Sequence, residues 1–98
     1  MTPNADRHPV SAETVLVRKL ALTSRVDDDL IFFDEQGGRY LATGRVGADI
    51  WELIESPRTL REICDELMNR YAVDEATCLA EVCAFAGELL AAGVAERR

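Results

Sequence analysis

The chain has 98 residues, 48% apolar and 30% charged, which predicts one small globular domain rather than a disordered segment. Its formal net charge is −7, and in positions 46–98 eleven acidic residues face five basic ones. That excess argues against binding to nucleic acid or to an anionic membrane, because both need a basic surface. The longest apolar runs have four or five residues. No membrane span or signal peptide is therefore predicted, and we expect a cytoplasmic location.

The first half of the sequence predicts strands. Thr14–Thr23 is rich in β-branched and aliphatic residues and predicts a strand, which a turn at Ser24–Asp29 follows. Leu30–Asp34 is apolar at successive positions and predicts a strand buried on both faces. Glu35–Gly38 predicts a hairpin loop, and Arg39–Thr43 the returning strand. Together these segments predict a three-stranded antiparallel meander.

After the strands, the apolar period changes from two to about 3.6 residues, which is typical of helices. The buried face of a first helix is predicted to comprise Val46, Ile50, Leu53 and Ile54, with Trp51 at its edge. Thr59 and Glu62 predict a capping box at the start of a second helix, Leu60–Tyr71. Its predicted buried stripe consists of Leu60, Ile63, Leu67 and Tyr71.

A third helix, Glu75–Ala92, is predicted between an N-cap at Asp74 and a C-terminal glycine, Gly93. Three strands followed by three helices make an α+β fold, and a helical trio beside a small sheet favours a winged helix-turn-helix-like topology. We expect residues 1–13 to form a flexible arm and residues 14–95 to form the domain, with Ala95–Arg98 as a short tail at its end.

No arrangement of residues typical of an enzyme is found, and neither a metal site nor a cofactor is predicted. The single histidine, His8, lies in the predicted arm beside a proline. The three cysteines, Cys64, Cys78 and Cys83, are odd in number and include no CxxC pair, so we expect reduced, partly buried thiols. A thiol enzyme stays as a minor alternative, because no histidine is placed to activate a cysteine.

The winged-helix topology raises the alternative of a transcriptional regulator. Its recognition helix would be Glu75–Ala92, which contains three glutamates and no lysine or arginine. Recognition helices need hydrogen-bond donors for base edges and phosphates, so DNA binding is disfavoured.

The same helix has an apolar sector of roughly 160°, which is wider than one packed face requires. Either the helix is central and covered on two sides, or one flank of it forms the wall of a groove. If Arg39–Thr43 is an edge strand, its free backbone groups can pair with an extended peptide. Such an edge can also pair weakly between copies, so the expected state is a monomer or a weak dimer.

The segment from Gly38 to Glu96 resembles the PqqD-like proteins, also called precursor peptide recognition elements of ribosomally synthesised and modified peptides. The resemblance covers Leu30–Glu96. The matching positions are Tyr40, Ile50, Trp51, Leu53, Thr59, Ile63, Leu67, Tyr71, Val73, Val82, Phe85, Leu89 and Gly93. One departure is the turn after the strand, where many members have Leu-Asn and this chain has ATGRVG.

This resemblance implies a non-catalytic chaperone that binds the leader of a precursor peptide and delivers it to a separate processing enzyme. In such proteins the leader adds antiparallel to the strand equivalent to Arg39–Thr43 and lies against the third helix. The implied contact residues are Arg39, Tyr40, Leu41, Ala42, Thr43, Leu79, Val82, Cys83 and Ala86. A lasso-peptide leader peptidase is the favoured partner, and the alternative is a radical-SAM enzyme of pyrroloquinoline quinone or related biosynthesis.

Overall fold

The computed structural model describes residues 9–19, 23–34 and 38–98 of the chain. The strands in these ranges are β1 (Val15–Arg18), β2 (Thr23–Val26), β3 (Asp29–Asp34), β4 (Arg39–Ala42), β5 (Arg58–Thr59) and β6 (Ala95–Arg97). The helices are α1 (Gly44–Leu53), α2 (Leu60–Arg70) and α3 (Glu75–Ala92). A three-stranded antiparallel sheet precedes the three helices, so the α+β class is confirmed and the winged-helix-like description is consistent with the fold.

The meander sheet, in the order β2–β3–β4, is built from neighbouring segments of the chain. The predicted turn Ser24–Asp29 is wrong at both ends, because Ser24 and Val26 lie in β2 and Asp29 begins β3. Only Asp27 and Asp28 form the turn. Asp27 has a φ of 55°, a left-handed conformation that aspartate tolerates better than most residues. Every residue of β2 is exposed, so the strand has no apolar alternation from which it could be predicted.

The closing sheet, in the order β5–β1–β6, joins three distant segments. The predicted strand Thr14–Thr23 is therefore not one element: Val15–Arg18 forms β1 of this sheet, whereas Thr23 begins β2 of the other. β1 pairs antiparallel with both neighbours, through Val15 with Thr59 and through Leu16 with Arg97. The C-terminal residues that were expected to be a tail thus form a strand.

The helix ends follow the predicted caps. Thr59 Oγ1 accepts a hydrogen bond from the Glu62 N–H at 3.1 Å, and Glu62 Oε1 accepts one from the Thr59 N–H at 2.8 Å, which completes the capping box. Asp74 Oδ2 accepts from the Thr77 N–H at 3.1 Å, and Gly93 ends α3 with a φ of 77°. α3 matches its predicted range, while α1 begins two residues before Val46.

The hydrophobic core lies between the helices and the inner face of the meander sheet. Phe32 is 1% exposed and meets the buried Trp51 ring edge-on, with ring centroids 4.5 Å apart. Trp51, which was predicted at the edge of the buried face of α1, is itself buried, whereas Val46, which was predicted on that face, is 39% exposed. The prediction that Leu30–Asp34 is buried on both faces is wrong for the outer face, because Ile31 and Phe33 are only half-buried. On that face Phe33 packs against the exposed ring of Tyr40.

Residues just before β1 already contact α2. The carbonyl oxygen of Ala12 accepts a hydrogen bond from the Arg61 N–H at 3.0 Å, and the Glu13 carboxylate pairs with the Arg61 guanidinium at 2.8 Å. The division into an arm of residues 1–13 and a domain of residues 14–95 stays a prediction. His8 lies outside the described residues.

Candidate functional site

Strand β4 is an edge of the meander sheet, and its hydrogen-bond register determines which of its backbone groups are free. The Thr43 N–H donates to the carbonyl oxygen of Leu30 at 3.0 Å, and Leu41 stands opposite Phe32. In an antiparallel pair, hydrogen-bonded and non-hydrogen-bonded positions alternate along the strand. Leu41 therefore pairs with β3, whereas the N–H and C=O groups of Tyr40 and Ala42 point away from it. These four groups meet no other strand among the described residues.

A cavity of about 270 Å³ begins where β4 ends. The residue after β4, Thr43, lines it. The contributions of α1 are Val46, Gly47 and Ile50, and those of α3 are Cys78, Glu81, Val82 and Phe85. From the end of α2 and the following loop come Leu67, Tyr71 and Val73. The walls are mainly apolar, which suits the burial of a large apolar side chain.

Gly47 brings the strand end, α1 and α3 together. A Cβ atom at this position would lie 2.6 Å from Thr43 Cβ and 3.1 Å from Phe85 Cζ, and the first distance is one that real Cβ atoms do not show. Any larger residue would therefore push the Phe85 ring or the strand end aside. The absence of a side chain lets α3 approach the end of the edge strand, where Thr43, Gly47 and Phe85 together line the cavity.

The predicted contact residues divide between the cavity and its surroundings. Thr43 and Val82 line the cavity. Leu79 and Cys83 are half-buried, Ala86 is buried, and none of these three is among the lining residues. At 100° per residue they lie about 100° round the helix from the lining face, which Cys78, Glu81 and Phe85 share with Val82. The contact residues predicted on α3 stay a prediction, and the cavity itself favours the neighbouring face.

The predicted strand residues lie along the edge of the sheet. Tyr40 is 73% exposed and Ala42 is exposed. Arg39 and Leu41 stand opposite Asp34 and Phe32, which fixes their register, but their side chains lie outside the described part of the structure. The five predicted positions thus form one continuous segment, of which only Thr43 lines the cavity.

Tyr71 was predicted only as an apolar contact of the second helix, but it also makes a polar contact beside the cavity. Its hydroxyl donates to Asp49 Oδ2 at 2.6 Å, and the Arg70 guanidinium lies 3.5 Å from the other carboxylate oxygen. The hydrogen bond to Asp49 raises the pKa of Tyr71. This pair fixes the ring at the cavity wall. Sequence spacing gave the apolar role of Tyr71 but no signal for its partner, 22 positions earlier on another helix.

The cysteines are not placed or activated as nucleophiles. All three are free, with Cys64 and Cys78 buried and Cys83 half-buried. Burial raises the pKa of Cys64 to about 12, and it also raises the pKa values of Cys78 and Cys83. The thiols are therefore protonated at neutral pH, which disfavours the alternative of a thiol enzyme. Within the described ranges, no group of three or more His, Cys, Asp or Glu side chains could hold a metal ion.

Most acidic side chains in and next to α1 and α2 form ion pairs or hydrogen bonds within the domain. Glu52 pairs with Arg25 at 2.9 Å, and Glu66 pairs with Arg70 at 3.2 Å. Further partners within the chain are found for Asp49, Glu55 and Glu62. These contacts favour an ordinary solvated face over an enzyme-docking surface. No helix in the described portion is long and apolar enough to cross a membrane.

Comparisons with known proteins identify the family of this chain. A solved structure, TbiB1 in complex with the TbiA(beta) leader peptide, matches with a TM-score of 0.69 and 27% sequence identity. The match covers 82% of this chain and 94% of TbiB1. No curated protein matches the chain by sequence. The sequence profile of the family described as coenzyme PQQ synthesis protein D (PqqD) matches residues 29–95, which include β3, β4, the three helices and the start of β6. The chain therefore belongs to the PqqD family.

Proposed function

We propose that this protein is a non-catalytic chaperone that binds the leader of a ribosomally made precursor peptide and delivers it to a separate modifying enzyme. The observation that carries the proposal is one juxtaposition. The outward backbone groups of Tyr40 and Ala42 lie directly before Thr43, where the apolar cavity begins. The leader peptide bound by TbiB1 supports the same assignment here.

The leader adds to the meander sheet as a strand antiparallel to β4. Tyr40 and Ala42 each offer one N–H and one C=O, so the pairing consists of four backbone hydrogen bonds. Each contributes on the order of 1 kcal/mol in net terms. Because backbone groups carry no side-chain information, this part of the site supplies affinity and orientation rather than selectivity.

The cavity supplies selectivity by receiving an apolar side chain of the leader. With antiparallel pairing, the leader residue opposite Ala42 precedes the residue opposite Tyr40. Thr43 lies beyond Ala42, so the apolar anchor lies on the N-terminal side of the paired segment. Burial of one such side chain contributes roughly 1.5–3 kcal/mol before ordering costs. Together with the backbone pairing, this corresponds to affinity in roughly the micromolar range.

The partner enzyme that we favour is a lasso-peptide leader peptidase, and the alternative is a radical-SAM enzyme of pyrroloquinoline quinone or related biosynthesis. The turn after β4, where this chain has ATGRVG and many members have Leu-Asn, supports the first assignment. Copurification of the protein with the enzyme encoded beside it distinguishes the two. A cytoplasmic location and a monomer or weak dimer remain predictions.

The experiment that tests the function is titration of the purified chain with the leader segment of the precursor encoded beside it. We expect roughly micromolar binding, with amide NMR shifts at residues 39–43 and in α1 and α3 around the cavity. Phe85→Ala should weaken binding about tenfold by removing an apolar wall, whereas Val26→Ala, on the opposite edge of the sheet, should not. Absence of binding to any neighbouring precursor would refute the proposal.

A further inference from the structure

Glu81 differs from most carboxylates of the domain in having no partner. Glu81 lines the cavity, is exposed, and forms no ion pair or hydrogen bond with any described residue. By contrast, the side-chain carboxylates with partners inside the domain are those of Glu13, Asp28, Asp49, Glu52, Glu55, Glu62, Glu66, Asp74 and Glu75. Other carboxylates without an ion pair, such as Glu88, do not line the cavity.

No positive side chain of the described residues balances Glu81 at the cavity. α3 contains no lysine or arginine, and none is among the lining residues. The two arginines nearest in sequence to lining residues of α1 and α2 are already paired. Arg45 binds Asp28 at 2.6 Å, and Arg70 binds Glu66 at 3.2 Å. An unpaired carboxylate beside an apolar wall favours a ligand that brings both an apolar group and a cation.

The first turn of α1 also borders the cavity, and Thr43 does not cap it with its side chain. Its free N–H groups favour a negative group, so they act against Glu81 in selecting the charge of the ligand. Glu81 carries a full charge, whereas a helix terminus carries about half a charge. The balance at the cavity is therefore negative, and a cation is the favoured neighbour.

We infer that Glu81 is a specificity-determining residue that selects leaders with a lysine or arginine beside the apolar anchor. The inference rests on the proposed function and adds the chemical class of the ligand. Because the leader runs antiparallel to β4, the basic residue lies with the anchor on the N-terminal side of the segment that pairs with Tyr40 and Ala42. The contact between Glu81 and this basic residue does not involve the backbone hydrogen bonds to β4.

The test uses the full chain and the neighbouring leader, in its natural form and with the basic residue beside its apolar anchor changed to glutamine or to glutamate. Affinities are measured at low and at physiological salt for wild type, Glu81→Gln and Glu81→Lys. Glu88→Gln is the matched control, because Glu88 is an exposed carboxylate two turns further along the same helix and is absent from the cavity.

For the natural leader, we expect Glu81→Gln to weaken binding roughly two- to fivefold, as for an exposed ion pair, and Glu81→Lys to weaken it about tenfold. The glutamate-substituted leader should bind Glu81→Lys better than wild type. Glu88→Gln should leave the affinity and its salt dependence unchanged. This reciprocal pattern would support a direct contact between the two charges.

Three results would overturn the inference: a natural leader without a basic residue near its anchor, equal binding by wild type and Glu81→Gln, or tighter binding of the glutamate-substituted leader by wild type. In each case wild type still binds a leader, so the proposed function stands. If wild type bound none of the neighbouring leaders, both the proposed function and the inference about Glu81 would be overturned. This outcome is distinct from the other three because wild type alone shows it.

Discussion

The two small sheets of this domain have the same number of strands but are built differently. The closing sheet joins the chain near residue 15, near residue 58 and near residue 96, so its pairings link segments far apart in sequence. The meander sheet is formed by three consecutive strands, and β4 leaves four backbone groups pointing outward. The comparison teaches that one sheet connects distant parts of the chain by long-range pairing, while the other, formed by consecutive strands, leaves the edge strand β4 unpaired on one side within the described part of the chain.

The largest effect is expected at the residue that contacts both sheets. The Trp51 ring packs on Phe32 of the meander sheet, and the Arg18 guanidinium of the closing sheet lies 5.3 Å from its centroid. Trp51→Ala should lower the free energy of unfolding by roughly 3–5 kcal/mol. Chemical denaturation measures the change, with Trp51→Phe as the milder control. A loss under 1 kcal/mol would mean that the ring does not connect the two sheets.

A proline in the edge strand should separate guest binding from stability. The Ala42 N–H points outward, so Ala42→Pro removes a donor for the leader without breaking the ladder to β3. We expect affinity to fall about tenfold or more, with little change in melting temperature. Leu41→Pro is the control, because its N–H faces β3 and its loss should destabilise the sheet. Unchanged affinity in Ala42→Pro would refute strand addition at β4.

A change at the closing sheet should lower stability and leave leader affinity unchanged, which is the opposite of the result expected for Ala42→Pro. Thr59 belongs to β5 and caps α2, so Thr59→Ala removes the hydroxyl that accepts the Glu62 N–H. The free energy of unfolding should fall by about 1 kcal/mol, with leader affinity unchanged. Glu62→Gln, which keeps the capping box, should cost less. If Thr59→Ala weakened leader binding while the protein remained folded, the separation between the two sheets would be wrong.

At neutral pH the smallest effect is expected from the buried thiol between α2 and α3, because its contribution changes only at alkaline pH. The pKa of Cys64 is raised from 9.0 to about 12, so the folded state holds the proton that the unfolded state releases first. Its contribution to stability is complete below pH 9 and is lost progressively as the pH rises toward 12. Urea midpoints from pH 8 to 11 should therefore fall less steeply in Cys64→Ala than in wild type. Parallel slopes would contradict this linkage.

The helices could be predicted from the sequence because their boundaries depend on local chemistry. The range of α3 follows from the carboxylate of Asp74, which accepts an N-terminal hydrogen bond, and from Gly93, which adopts a positive φ. By contrast, β-propensity near residue 15 indicated a strand but not its partners, which lie in β5 and β6, some 40 and 80 positions away. β2 was not predicted as a separate strand, because all of its residues are exposed and its sequence, TSRV, shows no alternation of apolar and polar residues.

The site could be predicted only to the level of its elements. An edge strand beside a wide apolar helix was expected, and both are present next to the cavity. Of the α3 residues that line the cavity, the sequence indicated only Val82, because a wide apolar sector does not reveal which flank is filled by the core. That choice depends on where α1 and Tyr71 lie, which in turn depends on Gly47 and on the hydrogen bond to Asp49.

The pairing of β1 with β6 has a consequence for building larger proteins. The Arg98 N–H donates to the Val15 carbonyl oxygen at 3.0 Å, so the chain enters and leaves this sheet at neighbouring positions. Because Val15 and Arg98 are neighbours in the sheet, residues 15–98 can be inserted into a surface loop of a host protein without stretching either fold. Neither Val15 nor Arg98 lies among the cavity residues. This part of the chain can thus be fused within another protein while the edge strand β4 and the cavity stay accessible.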